Sequence, residues 1–213
     1  MRTIKFGVFS LLTAVFCFSS CIEHEVIPAP TSSVKLDCNF TGIINNTDVQ
    51  LTKNVNGYYC YQSKAKLLLP PPQLSSATYY AAMVSEQTPV MVQVGMGSVL
   101  WDQSTTTDPT LSIFNNFFLT NLSPSYSNLG AAGFEVTYRD INGTIWKSDA
   151  LSPNTQNVAF SQVKQASDAL GDYSKFVCDF NCYVYHLDTT DPANPVLQSL
   201  KFENAKFQGW FKR

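Results

Sequence analysis

Residues 171–188 read GDYSKFVCDFNCYVYHLD, and their alternation decides the fold. Phe176, Cys178, Phe180, Cys182 and Val184 share one face of an extended chain, while Asp179, Asn181 and Tyr183 share the other. Successive strand side chains point to opposite sides. The run is therefore a strand with one side in a core and one in water, as antiparallel sheets allow. The same pattern spreads outward. Residues 157–166 form a strand before it, and residues 196–211 another after it, with a turn expected near Asn204.

The stretch 133–148, GFEVTYRDINGTIWKS, reads as a hairpin. A two-residue Asn142-Gly143 turn would set Tyr138 opposite Lys147 and split the aromatic residues between faces. A three-residue loop, Ile141-Asn142-Gly143 with Gly143 as a bulge, pairs Tyr138 with Trp146 and Asp140 with Thr144. Nearer the N-terminus, Val34, Leu36, Cys38, Phe40 and Gly42 alternate with polar partners up to Asn45-Asn46. That pair tolerates positive φ, and a two-residue turn there sets Phe40 against Leu51 and Gly42 against Val49.

Further strands are expected over 58–69, 77–85 and 89–100, the first ended by Pro70-Pro71-Pro72. One short helix is expected near 109–122, with Asp108 as N-cap and Pro109 at the first helical position. Leu111, Phe114 and Phe118 would form its buried stripe. The expected fold is mainly β: an antiparallel β-sandwich, with a closed barrel as the alternative.

Composition narrows the function. With 213 residues, 13% of them aromatic, the chain can pack a core and is not disordered. Its 14 Lys+Arg against 16 Asp+Glu leave no basic excess, so no nucleic-acid partner is expected. The first 21 residues, MRTIKFGVFSLLTAVFCFSSC, have basic Arg2 and Lys5, an apolar stretch over 6–18, and two serines before Cys21. That is the order of a secretory signal, with an apolar stretch too short to span a bilayer comfortably.

Phe18-Ser19-Ser20-Cys21 resembles a bacterial lipobox, in which the cysteine is diacylated and becomes the new N-terminus; Phe18 stands where Leu is usual. The expected organisation is a signal peptide over 1–20, a lipidated tether over 21–33 and one β domain over 34–213. Each buried methylene contributes ~0.8 kcal/mol, so two or three acyl chains would hold the protein at a membrane. Removing residues 1–20 takes two basic residues and no acidic ones, moving the net charge from −2 to −4. Pro28-Ala29-Pro30-Thr31-Ser32-Ser33 reads as an extended spacer.

Glu23 and Glu25, just after Cys21, resemble the surface-export tract of Bacteroidota lipoproteins. The strings GFEVTYRDINGTIWKSD, GDYSKFVCDFNCYVYHLD and KFENAKFQGWFKR also resemble uncharacterised Bacteroidota-type lipoproteins with a lipid cysteine, a Pro/Ser tether and a small β-rich domain. The resemblance implies anchorage at the bacterial outer membrane, on the periplasmic face or at the cell surface. It brings no catalytic residues.

With Cys17 in the leader and Cys21 lipidated, Cys38, Cys60, Cys178 and Cys182 remain as disulfide candidates, with three possible connectivities. Cys178 and Cys182 lie on one strand face about 13 Å apart, too far for a bridge without a bulge. Their spacing is not one that selects zinc, and no metal or cofactor is expected.

Catalytic constellations are equally sparse. His186 beside Asp188 is the one histidine of the folded part, and no nucleophile-elbow string accompanies it. The pairs Asp168/Asp172, Asp188/Asp191 and Asp102/Asp108 all fall in turn-like sequence, where aspartate bonds nearby backbone. Gly95-Met96-Gly97-Ser98 continues a strand, and so reads as a bulge or close crossing and not as a phosphate loop.

Trp101, Trp146 and Trp210 would form a sugar-stacking platform if they faced outward, and core or cross-strand pairs if they faced inward. The expected function is a non-catalytic binding or structural module that recognises a glycan or another envelope protein. The alternatives are a small hydrophobic-ligand carrier with a barrel cavity, and a hydrolase without a recognisable motif.

Overall fold

The alternating run at 171–188 is an 18-residue strand, β9 (Gly171–Asp188), and the rest of the sheet is built on its two edges. The computed structural model describes residues 33–104, 106–127 and 132–213. The leader, Cys21 and the spacer through residue 32 lie outside the described residues. The other elements are β1 (Asn39–Ile44), β2 (Thr47–Thr52), β3 (Tyr58–Leu67), β4 (Ser75–Ser85), β5 (Met91–Trp101), α1 (Leu111–Thr120), β6 (Gly133–Arg139), β7 (Ile145–Ser148), β8 (Asn157–Asp168) and β10 (Val196–Lys212).

The strands form one antiparallel sheet in the order β2-β1-β10-β9-β7-β6-β5-β4-β3, and β8 also pairs with β9. Along one edge, β9 carries β10 over almost its full length. Its other edge is shared: Tyr185 and Val184 pair with β7, and residues 171–181 pair with β8. β7 and β8 are thus two pieces of one interrupted strand, with residues 149–156 looping out between them.

The sheet curls into a half-barrel, and its bulges supply a reason. One extra residue is inserted in β5 against β4, in β8 against β9 and in β10 against β9 and β1. Each bulge bends its strand and increases the local twist. The bulge in β10 lies at Glu203-Asn204, where Asn204 adopts φ 49°. The turn expected near Asn204 is therefore a bulge within one continuous strand. Asparagine tolerates the left-handed conformation there at less cost than most residues.

The local hairpins follow side-chain patterning. Asn45 and Asn46 have φ of 48° and 64°, and Phe40 faces Leu51 as Gly42 faces Val49. In the β6–β7 hairpin Tyr138 faces Trp146, the Asp140 N–H donates to the Thr144 carbonyl, and Gly143 takes φ 84°. Asp140 accepts from the Trp146 indole and from the N–H groups of Asn142 and Thr144. Burial opposes its ionised form, but these hydrogen bonds prevail and hold its pKa below the usual carboxylate value.

The concave side is packed with rings. Phe211 stacks on Phe118 at 4.7 Å and on Phe176 at 4.5 Å, and Phe114 packs edge-on against Phe118 at 5.0 Å. The helix thus inserts its Phe114 and Phe118 stripe into the curl. Its start differs from expectation: Thr110 is the N-cap and accepts from the Ile113 N–H. Asp108 is drawn instead to Lys64 at 2.6 Å and Lys66 at 3.3 Å on β3. Two ammonium groups outcompete helix N–H groups for that carboxylate.

Cys38, just before β1, is bonded to Cys60 on β3, with Cα atoms 6.2 Å apart. β3 is one edge strand of the sheet and β1 lies next to the other. The bond therefore clasps the two ends of the curl, where no strand ladder joins them. Cys178 and Cys182 are free thiols buried on the concave face.

Candidate functional site

The interruption between β7 and β8 creates a local problem: β9 has backbone groups that no strand partner can satisfy, and such groups must be paired. Side-chain amides take over. Gln156 Oε1 accepts from the Tyr183 N–H at 3.3 Å, and Asn157 Oδ1 accepts from the Asn181 N–H at 3.0 Å. Asn157 Oδ1 also accepts from Asn181 Nδ2 at 2.9 Å, and Asn181 Oδ1 accepts the Asn204 N–H at 2.8 Å. The result is an amide ladder, Asn157–Asn181–Asn204, crossing β8, β9 and β10 on the convex face. Beneath it the Tyr126 hydroxyl lies 3.1 Å from the Asn157 carbonyl and 3.2 Å from the Asn181 carbonyl.

This ladder is the common wall of two grooves. One, of about 460 Å³, runs from Tyr126 along Ser152, Asn154 and Gln156 to Asn157. The other, of about 420 Å³, continues over Asn181 to Asn204 and Lys206. A third, of about 580 Å³, extends from Asn204 over Ile43 to Asp48 and Gln50. Together they form a trough across β8, β9, β10, β1 and β2, about 19 Å at the ~4.8 Å spacing of strands.

The trough's first groove carries no charged side chain, and in the second Asp179 and Lys206 pair at 3.4 Å. No hydrogen bond among the described residues engages Asn157 Nδ2 or the Asn204 side chain. Amides supply donors and acceptors together, and half-buried Tyr126 adds ring surface to the first groove. Such a surface suits a neutral polyhydroxylated ligand.

The sequence candidates lie elsewhere. Trp101, Trp146 and Trp210 are only 2%, 7% and 6% exposed, so they do not form an outward stacking platform. Two of the indoles are engaged inside the fold: Trp101 donates to the Thr106 carbonyl and Trp146 to Asp140. Tyr59 and Tyr61 are exposed on β3.

His186 packs 5.4 Å from Trp146, with Nδ1 at the Ile145 carbonyl, while Asp188 is occupied by Thr190 and Gln198. Asp172 binds Arg213 and Ser167, and Asp168 accepts from the backbone of Ser33 and Val34. Asp102 and Asp191 close tight turns onto Ser104 and Ala193. Gly95 lies under Tyr80 and Glu135, where a Cβ would come within 2.7 Å of the ring.

Burial pushes the Cys182 thiol up to about 12, the Tyr126 hydrogen bond only partly offsetting it, and pushes Cys178 well above its usual value. Both are inert as nucleophiles at neutral pH. No three His, Cys, Asp or Glu side chains among the described residues converge as a metal cage. Rings occupy the concave side, where a carrier would need open volume.

The molecule so defined is a curled antiparallel half-barrel with an amide-lined trough on its convex face. Comparison with protein-family models, curated proteins and solved structures finds no match to this chain. The trough was missed in the sequence because its residues are 24 and 23 positions apart. One signal does exist: asparagine is depleted from strands, yet it stands at strand positions 157, 181 and 204, the first and last exposed and the middle one half-buried.

Proposed function

We propose that this chain is a lipid-anchored protein of the bacterial outer membrane, held through Cys21 on the periplasmic face or at the cell surface. Its β domain is a non-catalytic module that binds a neutral glycan along the convex trough. The observation that carries the binding reading is the Asn157–Asn181–Asn204 ladder, which lines an open groove with amides, its two charged side chains, Asp179 and Lys206, being paired with each other. Sugar hydroxyls both donate and accept, and paired amide donors and acceptors answer them without the desolvation cost of buried ions. The carboxylates and thiols that would serve a hydrolase are engaged in turns or kept protonated by burial.

The binding test is a thermal-shift screen of the purified protein against neutral polysaccharides, with lipids as the comparison. A Tm rise with one glycan class, lost in Asn181→Ala, is expected. A rise with lipids alone, or capture of an envelope protein with no glycan response, would overturn it. The anchorage test is metabolic palmitate labelling: Cys21→Ser is expected to abolish it, and unchanged labelling would remove the lipoprotein reading.

A further inference from the structure

A second feature of the convex face lies toward the start of β9, and it is charged. Lys164 on β8 stands directly opposite Lys175 on β9. Like charges facing each other across a ladder destabilise it, so this pair costs stability unless something anionic sits between the two. The two lysines, with Lys35, line a hollow of about 180 Å³ floored by Val177 and Gly209. Its one acidic residue, Asp37, is already held by Lys35 at 3.2 Å. Three ammonium groups against one carboxylate make this hollow positive in a chain whose net charge is −2.

Neutral donors are arranged around it. Gln208 accepts from Asn39 Nδ2 through Oε1 at 3.1 Å, which leaves its NH₂ group to donate. Gln162 sits in the β8 bulge at φ 52°, a conformation that redirects its side chain out of the regular strand alternation and into the lining. Lys175 is steadied by donating to the Lys35 carbonyl at 3.1 Å, whereas Lys164 has no ion-pair partner among the described residues.

We infer that Lys164 and Lys175, helped by Gln162 and Gln208, form a binding site for a tetrahedral oxyanion of the phosphate or sulfate class. The site is independent of the glycan reading, because it shares no side chain with the amide ladder. A phosphate there supplies the charge that relieves the facing lysines, and charge-assisted bonds from Lys with amide donors hold it. The same chemistry is offered by free phosphate and by a phospholipid headgroup.

The test compares the purified protein with a Lys164→Gln/Lys175→Gln variant in two arms. In the first, Tm is followed with inorganic phosphate or sulfate against sodium chloride of equal ionic strength. In the second, co-sedimentation is measured with phosphatidylcholine vesicles, with and without phosphatidylglycerol.

Protection by phosphate beyond chloride, with apparent affinity at least tenfold weaker in the variant, is the result expected for a free oxyanion. Lysine-dependent binding to phosphatidylglycerol vesicles without that protection assigns the site to a headgroup. If neither response exceeds its control, or the variant responds as the wild type does, the site is not there. Lys164→Glu guards against misfolding as the explanation: it turns the facing pair into opposite charges, so it should raise Tm in phosphate-free buffer while abolishing the phosphate response.

Discussion

The two faces of β9 differ in almost everything except their backbone. On the concave side Phe176, Cys178, Phe180, Cys182 and Val184 are buried among rings from β8, β10 and α1. On the convex side the interleaved residues Lys175, Val177, Asp179, Asn181, Tyr183 and Tyr185 are half-buried or exposed and mostly polar; Lys175 and Val177 line the hollow, and Asp179 and Asn181 line the trough. A period of two lets one strand carry stability on one face and recognition on the other with little interference. Changes on one side should therefore leave the other side's property nearly untouched.

The largest effect should come from the concave face. Phe211→Ala removes a ring stacked on both Phe118 and Phe176, and should cost about 3–5 kcal/mol in denaturant unfolding. Any glycan bound by the wild type should still bind at low temperature. Next comes the clasp. Cys38→Ser with Cys60→Ser should cost about 2–4 kcal/mol, since it frees the two ends of the curl. In the same protein the Cys178 and Cys182 peptides should resist native iodoacetamide at pH 8 and label fully in guanidinium, as buried thiols with raised pKa values do.

Smaller effects belong to the convex side and the chain ends. Asn181→Ala removes the hydrogen bonds to Asn157 and Asn204 made by one side chain, and should cost about 1 kcal/mol. Its effect on ligand binding should be much the greater one, which is the sharpest form of the contrast between faces. Asp172→Asn should have the smallest effect, and one that depends on pH.

Burial opposes ionisation of Asp172, but Ser167 and Arg213 prevail and depress its pKa in the folded protein. Its contribution is therefore present above the ordinary carboxylate value, about 3.9, and is lost as pH falls through the depressed folded value. Thermal melts should show the variant below wild type at pH 7, with the gap closing in acid.

Local patterning made much of the fold readable. The Asn45-Asn46 turn, the Tyr138–Trp146 register and the buried face of β9 each depend on residues close in sequence, whose alternation leaves one favourable pairing. The α1 cap was not readable, because Asp108 is drawn to Lys64 and Lys66 about 40 positions away. The sequence leaves open which side the tryptophans take for a related reason: each has strand-like surroundings, and only the tertiary curl decides which side is covered. The trough itself arises from an interrupted strand and a bulge at Asn204, so its residues meet only after three strands have paired. Sequence shows asparagine in strand positions, but not that the three form one ladder.

The most direct test of glycan binding on the convex face is affinity electrophoresis through gels containing neutral polysaccharides, comparing wild type with Asn181→Ala at a temperature where both are folded. Retardation of the wild type by at least one polysaccharide, with the variant running as in a plain gel, is the predicted result. Equal retardation of both proteins, or none of the wild type across the panel, would contradict it.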